Sequence, residues 1–128
     1  MPKILVAEDE RDIRELIGFT LRFAGFEVVL VANGVEAIEK TTEEQPDLIM
    51  LDIRMPKMTG YEACRRLKDD PVTNTIPVVI LSAKGQETEI EQGLASGADE
   101  YIVKPFAPDE LTSQVKEILR RAGVSVPE

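Results

Sequence analysis

Five short runs of apolar residues punctuate the chain: Ile4–Ala7, Val28–Ala32, Leu48–Leu51, Ile76–Leu81 and Tyr101–Val103. They are continuous rather than alternating and rich in β-branched residues and leucine. That pattern predicts strands covered on both faces of a parallel sheet. Between the first two runs, Ile13, Leu16, Ile17, Thr20, Leu21 and Ala24 recur at helical spacing, predicting one apolar helix face that Gly25 ends. A second helix is predicted from Gly34, after Asn33, to Glu44, before Gln45-Pro46. A third runs from Gly60 to Lys68 and gives way to the turn-rich stretch "DDPVTNTIP". The last starts at Pro108 with Asp109 and Glu110, turns Leu111, Val115, Ile118 and Leu119 inward, and closes with Arg120, Arg121 and Gly123. Acid first and base last is the order that a helix dipole favours. The fourth helical segment, "GQETEIEQGLASG", is the weakest, with Ile90 and Leu94 as its expected anchors, and belongs among the least stable parts of the fold.

Strands alternating with helices over this length give an α/β fold with a doubly wound parallel sheet, whose ligands sit beyond the carboxyl ends of the strands. The residues at those ends therefore carry the functional question. The first strand ends in Glu8-Asp9, the third in Asp52, the fourth in Ser82-Ala83 and the fifth in Lys104-Pro105. The second ends in Ala32-Asn33 without charge, as an edge strand away from a site would. Taken singly, Glu8-Asp9 reads equally well as a helix cap, Ser82 as a turn residue and Lys104 as a solvated lysine. Together, four strand ends deliver acids, a hydroxyl and an ammonium to one rim.

Composition narrows what that rim can be. The 128 residues suit one domain, and 43% hydrophobic with 30% charged residues suits a soluble globular protein. No apolar run approaches the roughly 20 residues of a membrane span. The opening Met-Pro-Lys-Ile-Leu-Val reads as a strand rather than a secretory leader. The lone cysteine, Cys64, shares a helical spacing with Tyr61 and Leu67 and reads as a small core residue, so a cytoplasmic location is expected. The net charge of -9 disfavours non-specific nucleic-acid binding. With no histidine in the chain, His-based triads, imidazole metal sites and self-phosphorylation on histidine are excluded.

Three carboxylates on one rim repel one another, and Lys104 alone does not offset them. Either an acid is protonated or a cation binds. An all-oxygen donor set favours a hard ion, Mg²⁺ or Mn²⁺, over zinc. Cation, lysine and hydroxyl together make a pocket for a phosphoryl group. Asp52 is then the plausible nucleophile, Lys104 a point charge on the phosphoryl, Ser82 a hydrogen-bond donor, and Asp9 and Asp52 metal ligands.

The motifs "ILVAEDE", "DLIMLDIRMPKMTG", "VVILSAK" and "GADEYIVKPF", in this order, resemble the receiver domain of bacterial two-component response regulators, from Lys3 to about Arg121. The resemblance implies a flavodoxin-like (βα)₅ fold with strand order 2-1-3-4-5, a receiver domain over residues 1–122, and a C-terminal tail or linker stub at 123–128. It implies Asp52 as phosphoacceptor, Asp9 as direct Mg²⁺ ligand, Glu8 acting largely through water, and Arg54 contributing its backbone carbonyl to the metal. Ser82 matches the switch hydroxyl, Tyr101 the aromatic switch residue that rotates inward, and Lys104 a lysine joined to Pro105 by a cis peptide. Met55, Pro56 and Gly60 match the turn after the acceptor. The implied donor is a sensor histidine kinase or histidine phosphotransfer protein. Phosphorylation would act on a downstream effector through the fourth helix, fifth strand and fifth helix, the domain being a monomer or a phosphorylation-dependent homodimer that binds neither nucleic acid nor membrane. The resemblance implies a self-modifying switch rather than a turnover enzyme.

Departures sharpen this picture. Glu8 stands where Asp is commoner, and Ser82 and Tyr101 where Thr and Phe are. Arg54 and Lys84, each two residues beyond a site residue, are expected to overhang the site and tune the lifetime of the phosphoryl group. Gln92 and Gln114 stand where winged-helix regulators of the family carry arginines that pair across a dimer, which favours a stand-alone regulator or a different output domain. A haloacid-dehalogenase-like phosphatase would need an acid at Arg54, an FMN binder would not place Glu8-Asp9-Glu10 in its phosphate loop, and a pseudo-receiver would lack Asp52 or Lys104.

Overall fold

The computed structural model describes residues 1–83 and 86–127. Among them five strands and five helices alternate: β1 (Lys3–Ala7), α1 (Arg11–Phe23), β2 (Glu27–Val31), α2 (Gly34–Glu44), β3 (Leu48–Asp52), α3 (Gly60–Asp69), β4 (Val78–Ala83), α4 (Glu87–Ala95), β5 (Glu100–Lys104) and α5 (Pro108–Arg121). The strands form one parallel sheet in the order β2-β1-β3-β4-β5, the flavodoxin-like arrangement expected from the sequence. Every residue of β3 is buried, because the two faces of the sheet carry separate apolar layers. Met50 and Leu48 face the layer completed by α1 and α5, while Ile49 and Leu51 face the layer completed by α2 and α3. Cys64 lies in the second layer as a buried free thiol, and burial pushes its pKa up to about 11.

The fourth run is shifted relative to its expected span of Ile76–Leu81. Ile76 closes a turn onto the Thr73 carbonyl, and Pro77, which has no N–H to give, joins the ladder only as an acceptor from Ile49. The strand instead continues through Ser82 and Ala83, which pair with Val103 and Lys104. Ser82 is thus a buried strand residue, not part of a turn.

Two expected anchors face outward. Leu16 of α1 is 47% exposed, and the buried stripe narrows to Ile17, Gly18, Thr20 and Leu21. On the outer side of α1, Phe19 and Phe23 stack with their rings 6.3 Å apart. In α4, Leu94 is 46% exposed and Gly93 is the buried residue. The helix is seated there by close backbone approach, since a Cβ on Gly93 would stand 3.0 Å from Ile80 Cγ1.

The amino end of the sheet is closed twice by the same device. Asp47, just before β3, accepts the Lys3 N–H at 2.8 Å and donates its own N–H to the Lys3 carbonyl at 2.7 Å. Asp99, just before β5, accepts the Val78 N–H at 2.8 Å and donates to the Val78 carbonyl at 2.9 Å. Beyond α5, Val124 donates to the Leu119 carbonyl, and Val124 and Val126 pack against the first apolar layer beside α1.

Candidate functional site

At the opposite, carboxyl end of the sheet, Asp52 closes β3 and is followed by a turn that folds tightly back. The Gly60 N–H donates to the Ile53 carbonyl at 2.9 Å, and Thr59 caps α3 by accepting from the Glu62 N–H. A side chain on Gly60 would overlap the Asp52 carbonyl oxygen, so only glycine lets α3 start this close to the acceptor strand. From β5, Lys104 reaches across β4 and places Nζ 2.9 Å from Asp52 Oδ1 and 3.2 Å from Glu8 Oε1. The Lys104-Pro105 peptide is cis, as the resemblance implied.

Glu8, at the end of β1, is fully buried, and its Oε2 accepts the Glu10 N–H at 3.2 Å. It does not cap α1, whose N-cap position is Glu10. Asp9 is exposed beside it. Glu8, Asp9 and Asp52 each offer a carboxylate oxygen, all within 4.8 Å of one another. Burial, followed by the charge of Asp52, pushes the Glu8 pKa up to about 7, against the opposing effect of Lys104. Lys104 answers in kind: burial lowers its pKa, but the hydrogen bond and charge of Asp52, and then Glu8, leave it raised. Among the described residues one ammonium, Lys104, thus faces a cluster of three carboxylates.

Ser82 sits on β4 beside Asp52, paired across the sheet with Val103. Its hydroxyl has the Ala83 carbonyl, at 3.4 Å, and Glu89 as acceptors rather than Asp52. Oγ donates to Glu89 Oε1 at 3.3 Å, and the same carboxylate oxygen accepts the Ala83 N–H at 3.2 Å. Glu89, in the first turn of α4, is a site residue that sequence reasoning missed. The signal was faint: Glu89 lies four residues before Gly93, so the two share the inward face of the weakest helix. Arg54 extends over the rim, with Nη2 3.9 Å from Glu89 Oε2 and its side chain largely in water. It pairs with neither Asp52 nor the other rim acids. Lys84 and Gly85 lie outside the described residues, so the expectation for Lys84 has no structural counterpart.

These groups surround a cavity of about 360 Å³, lined by Glu8, Asp9, Asp52, Arg54, Glu89 and Lys104 among others. Tyr101 is not among its lining residues. It is 42% exposed on the outer edge of the sheet and lines a second cleft with Gln114, Glu117 and Arg121 of α5.

The sequence model of a family described as the response regulator receiver domain matches residues 4–116. The chain is 46% identical over 126 residues to the phosphate regulon transcriptional regulatory protein PhoB of Rhizobium meliloti, covering 98% of this chain and 56% of that one. It is 41% identical to the alkaline phosphatase synthesis transcriptional regulatory protein PhoP of Bacillus subtilis, covering 98% and 51%. The chain thus spans about half the length of the curated relatives it matches. Among solved structures, a putative response regulator from Chloroflexus aurantiacus superposes with a TM-score of 0.90 at 36% identity, over 94% of this chain and 98% of that one. The receiver domain of the sensor histidine kinase PA1611 from Pseudomonas aeruginosa, solved with a magnesium ion coordinated in its active-site cleft, matches with a TM-score of 0.86 at 29% identity, over 93% and 98%.

Proposed function

The chain belongs to the response regulator receiver domain family, and from that membership we propose that it accepts a phosphoryl group on Asp52 from a phosphohistidine of a sensor histidine kinase or histidine phosphotransfer protein. One observation carries the reading: an aspartate at the end of a buried strand, 2.9 Å from a lysine ammonium and within a cluster of three carboxylates. An oxygen of Asp52 attacks phosphorus, the phosphorus–nitrogen bond of the donor breaks, and the imidazole departs, leaving an acyl phosphate on Asp52. Lys104 Nζ neutralises charge on the transferring group and holds the Asp52 carboxylate in place. The Ser82 hydroxyl and Ala83 N–H are the nearby donors for a phosphoryl oxygen. Hydrolysis of the acyl phosphate resets the switch, so the chain acts on itself rather than turning over a substrate.

The donor set suits Mg²⁺. It is all oxygen, and three carboxylates lie within 4.8 Å of one another against the one ammonium of Lys104. Asp9 and Asp52 would hold the ion directly, Glu8 largely through water, and Arg54 through its backbone carbonyl. Magnesium bound there supplies positive charge to the transferring phosphoryl oxygens.

Residues 1–122 form the receiver unit on this reading, with 123–128 leading out of it. The signal leaves through α4, β5 and α5 as Ser82 turns toward the phosphoryl and Tyr101 rotates inward. The downstream effector meets that surface, while the domain itself binds no nucleic acid, and it acts as a monomer or a phosphorylation-dependent homodimer in the cytoplasm. Incubation with acetyl phosphate and Mg²⁺ followed by intact mass tests the reading. One added phosphoryl in the wild type, lost in Asp52→Asn, is the expected result. No gain in the wild type overturns it in favour of a receiver fold that binds without being phosphorylated.

A further inference from the structure

We propose that Glu89 is an internal anion that occupies the phosphoryl's hydrogen-bond donors before phosphorylation and is expelled by it, carrying the first turn of α4 with it. The inference rests on the phosphoacceptor reading above and assigns the residue through which α4 senses the site.

Glu89 Oε1 takes two donors at once, the Ser82 hydroxyl at 3.3 Å and the Ala83 N–H at 3.2 Å. Each has one hydrogen, that of Ser82 having the Ala83 carbonyl at 3.4 Å as its other acceptor, and both lie at the end of β4, the strand beside Asp52. A phosphoryl group on Asp52 would bring further anionic oxygens into the cavity that Asp52 and Glu89 both line. Two anions contend for the same two hydrogens in a partly desolvated pocket, where like charges repel far more strongly than in water. The phosphoryl is held by a covalent bond and the carboxylate by hydrogen bonds alone, so the carboxylate is the one displaced.

The departure moves a helix because Glu89 is how α4 is fastened at that end. Its side chain is 13% exposed, and its carbonyl accepts the Tyr61 hydroxyl of α3 at 3.3 Å. Gly93 is the buried residue of α4, so few apolar contacts oppose release of the first turn. Arg54, 3.9 Å from Oε2 and otherwise solvated, remains a partner for the carboxylate as it swings toward water.

Two variants of the full chain separate an anionic competitor from a helix fastener. Glu89→Gln keeps an oxygen that accepts from Ser82 and Ala83 but removes the charge. With Mg²⁺ present, it is expected to bind the phosphoryl analogue beryllofluoride about tenfold more tightly than wild type, while α4 keeps wild-type hydrogen-exchange protection without the analogue. Glu89→Ala removes the acceptor as well, and is expected to speed exchange of α4 amides about tenfold in metal-free protein at an unchanged melting temperature. Wild-type or weaker beryllofluoride affinity in Glu89→Gln overturns the proposal, as does unchanged α4 exchange in Glu89→Ala. If wild type itself takes up neither beryllofluoride nor a phosphoryl from acetyl phosphate, the phosphoacceptor reading falls instead.

Discussion

Glu8 shows how one buried carboxyl links stability to pH and to a cation. Its folded-state pKa of about 7 exceeds the ordinary value of 4.5, so the native state binds the extra proton. The stability this brings is full below about 4.5, is lost as pH rises to about 7, and stays lost above. In chelator, the wild type should therefore melt lower at pH 8 than at pH 5. Glu8→Gln should abolish that difference, gaining on the order of 2–3 kcal/mol at pH 8, while weakening Mg²⁺ binding; thermal melts across pH check the first and metal titration the second. Lys104→Ala is expected to blunt the phosphoryl-dependent change in α4 more than it weakens Mg²⁺ binding, read by hydrogen exchange and metal titration side by side. Gly60→Ala should cost about 2–4 kcal/mol in denaturant unfolding, because the new methyl meets backbone at Asp52 rather than a movable side chain. Asp52, Glu8, Asp9 and Lys104 were legible because a charged residue ending an apolar strand is conspicuous in one dimension. Glu89 was not, since an acid in an acid-rich helix start looks like ordinary dipole matching until the fold turns it inward.

The strands and four of the helices follow from apolar runs and caps, but their edges depend on neighbours. Pro77 moves the start of β4 because it cannot donate to the ladder, and pairing with β5 carries the strand on to Ala83. Leu16 and Leu94 lie in the helical pattern yet face water, because the helices seat through Ile17, Gly18, Thr20 and Leu21 in α1 and through Gly93 in α4. For α4 the seat is Gly93 on Ile80, a contact that hydrophobic periodicity cannot register because glycine contributes no apolar side chain. With so little buried, α4 is expected to be the least protected helix. In native-state exchange its amides should lose protection about a hundredfold faster than those of β3, whose residues are all buried.

At the scale of the whole molecule, chemistry and surface are separated. The rim gathers its charges from the ends of β1, β3 and β5 and a hydroxyl from β4, whereas the outer side of α1 presents Phe19 and Phe23 at 69% and 87% exposure. These rings do not hold the fold together. Phe19→Ser with Phe23→Ser should leave the folding free energy within about 1 kcal/mol of wild type, checked by urea titration. Their exposed patch is a feature that composition hides, since one side of a helix is visible only when its other side is known to be covered. Asp47 and Asp99 give the sheet a mechanical polarity. Each staples a loop to the strand beside it at the amino end, on either side of β3 and β4, while at the carboxyl ends the repelling acids Glu8 and Asp52 share the single ammonium of Lys104. A frame clamped along one edge yields along the other. Work done by a new charge at the open edge is therefore not dissipated by strands sliding past one another, and its outlet is the elements resting on that edge.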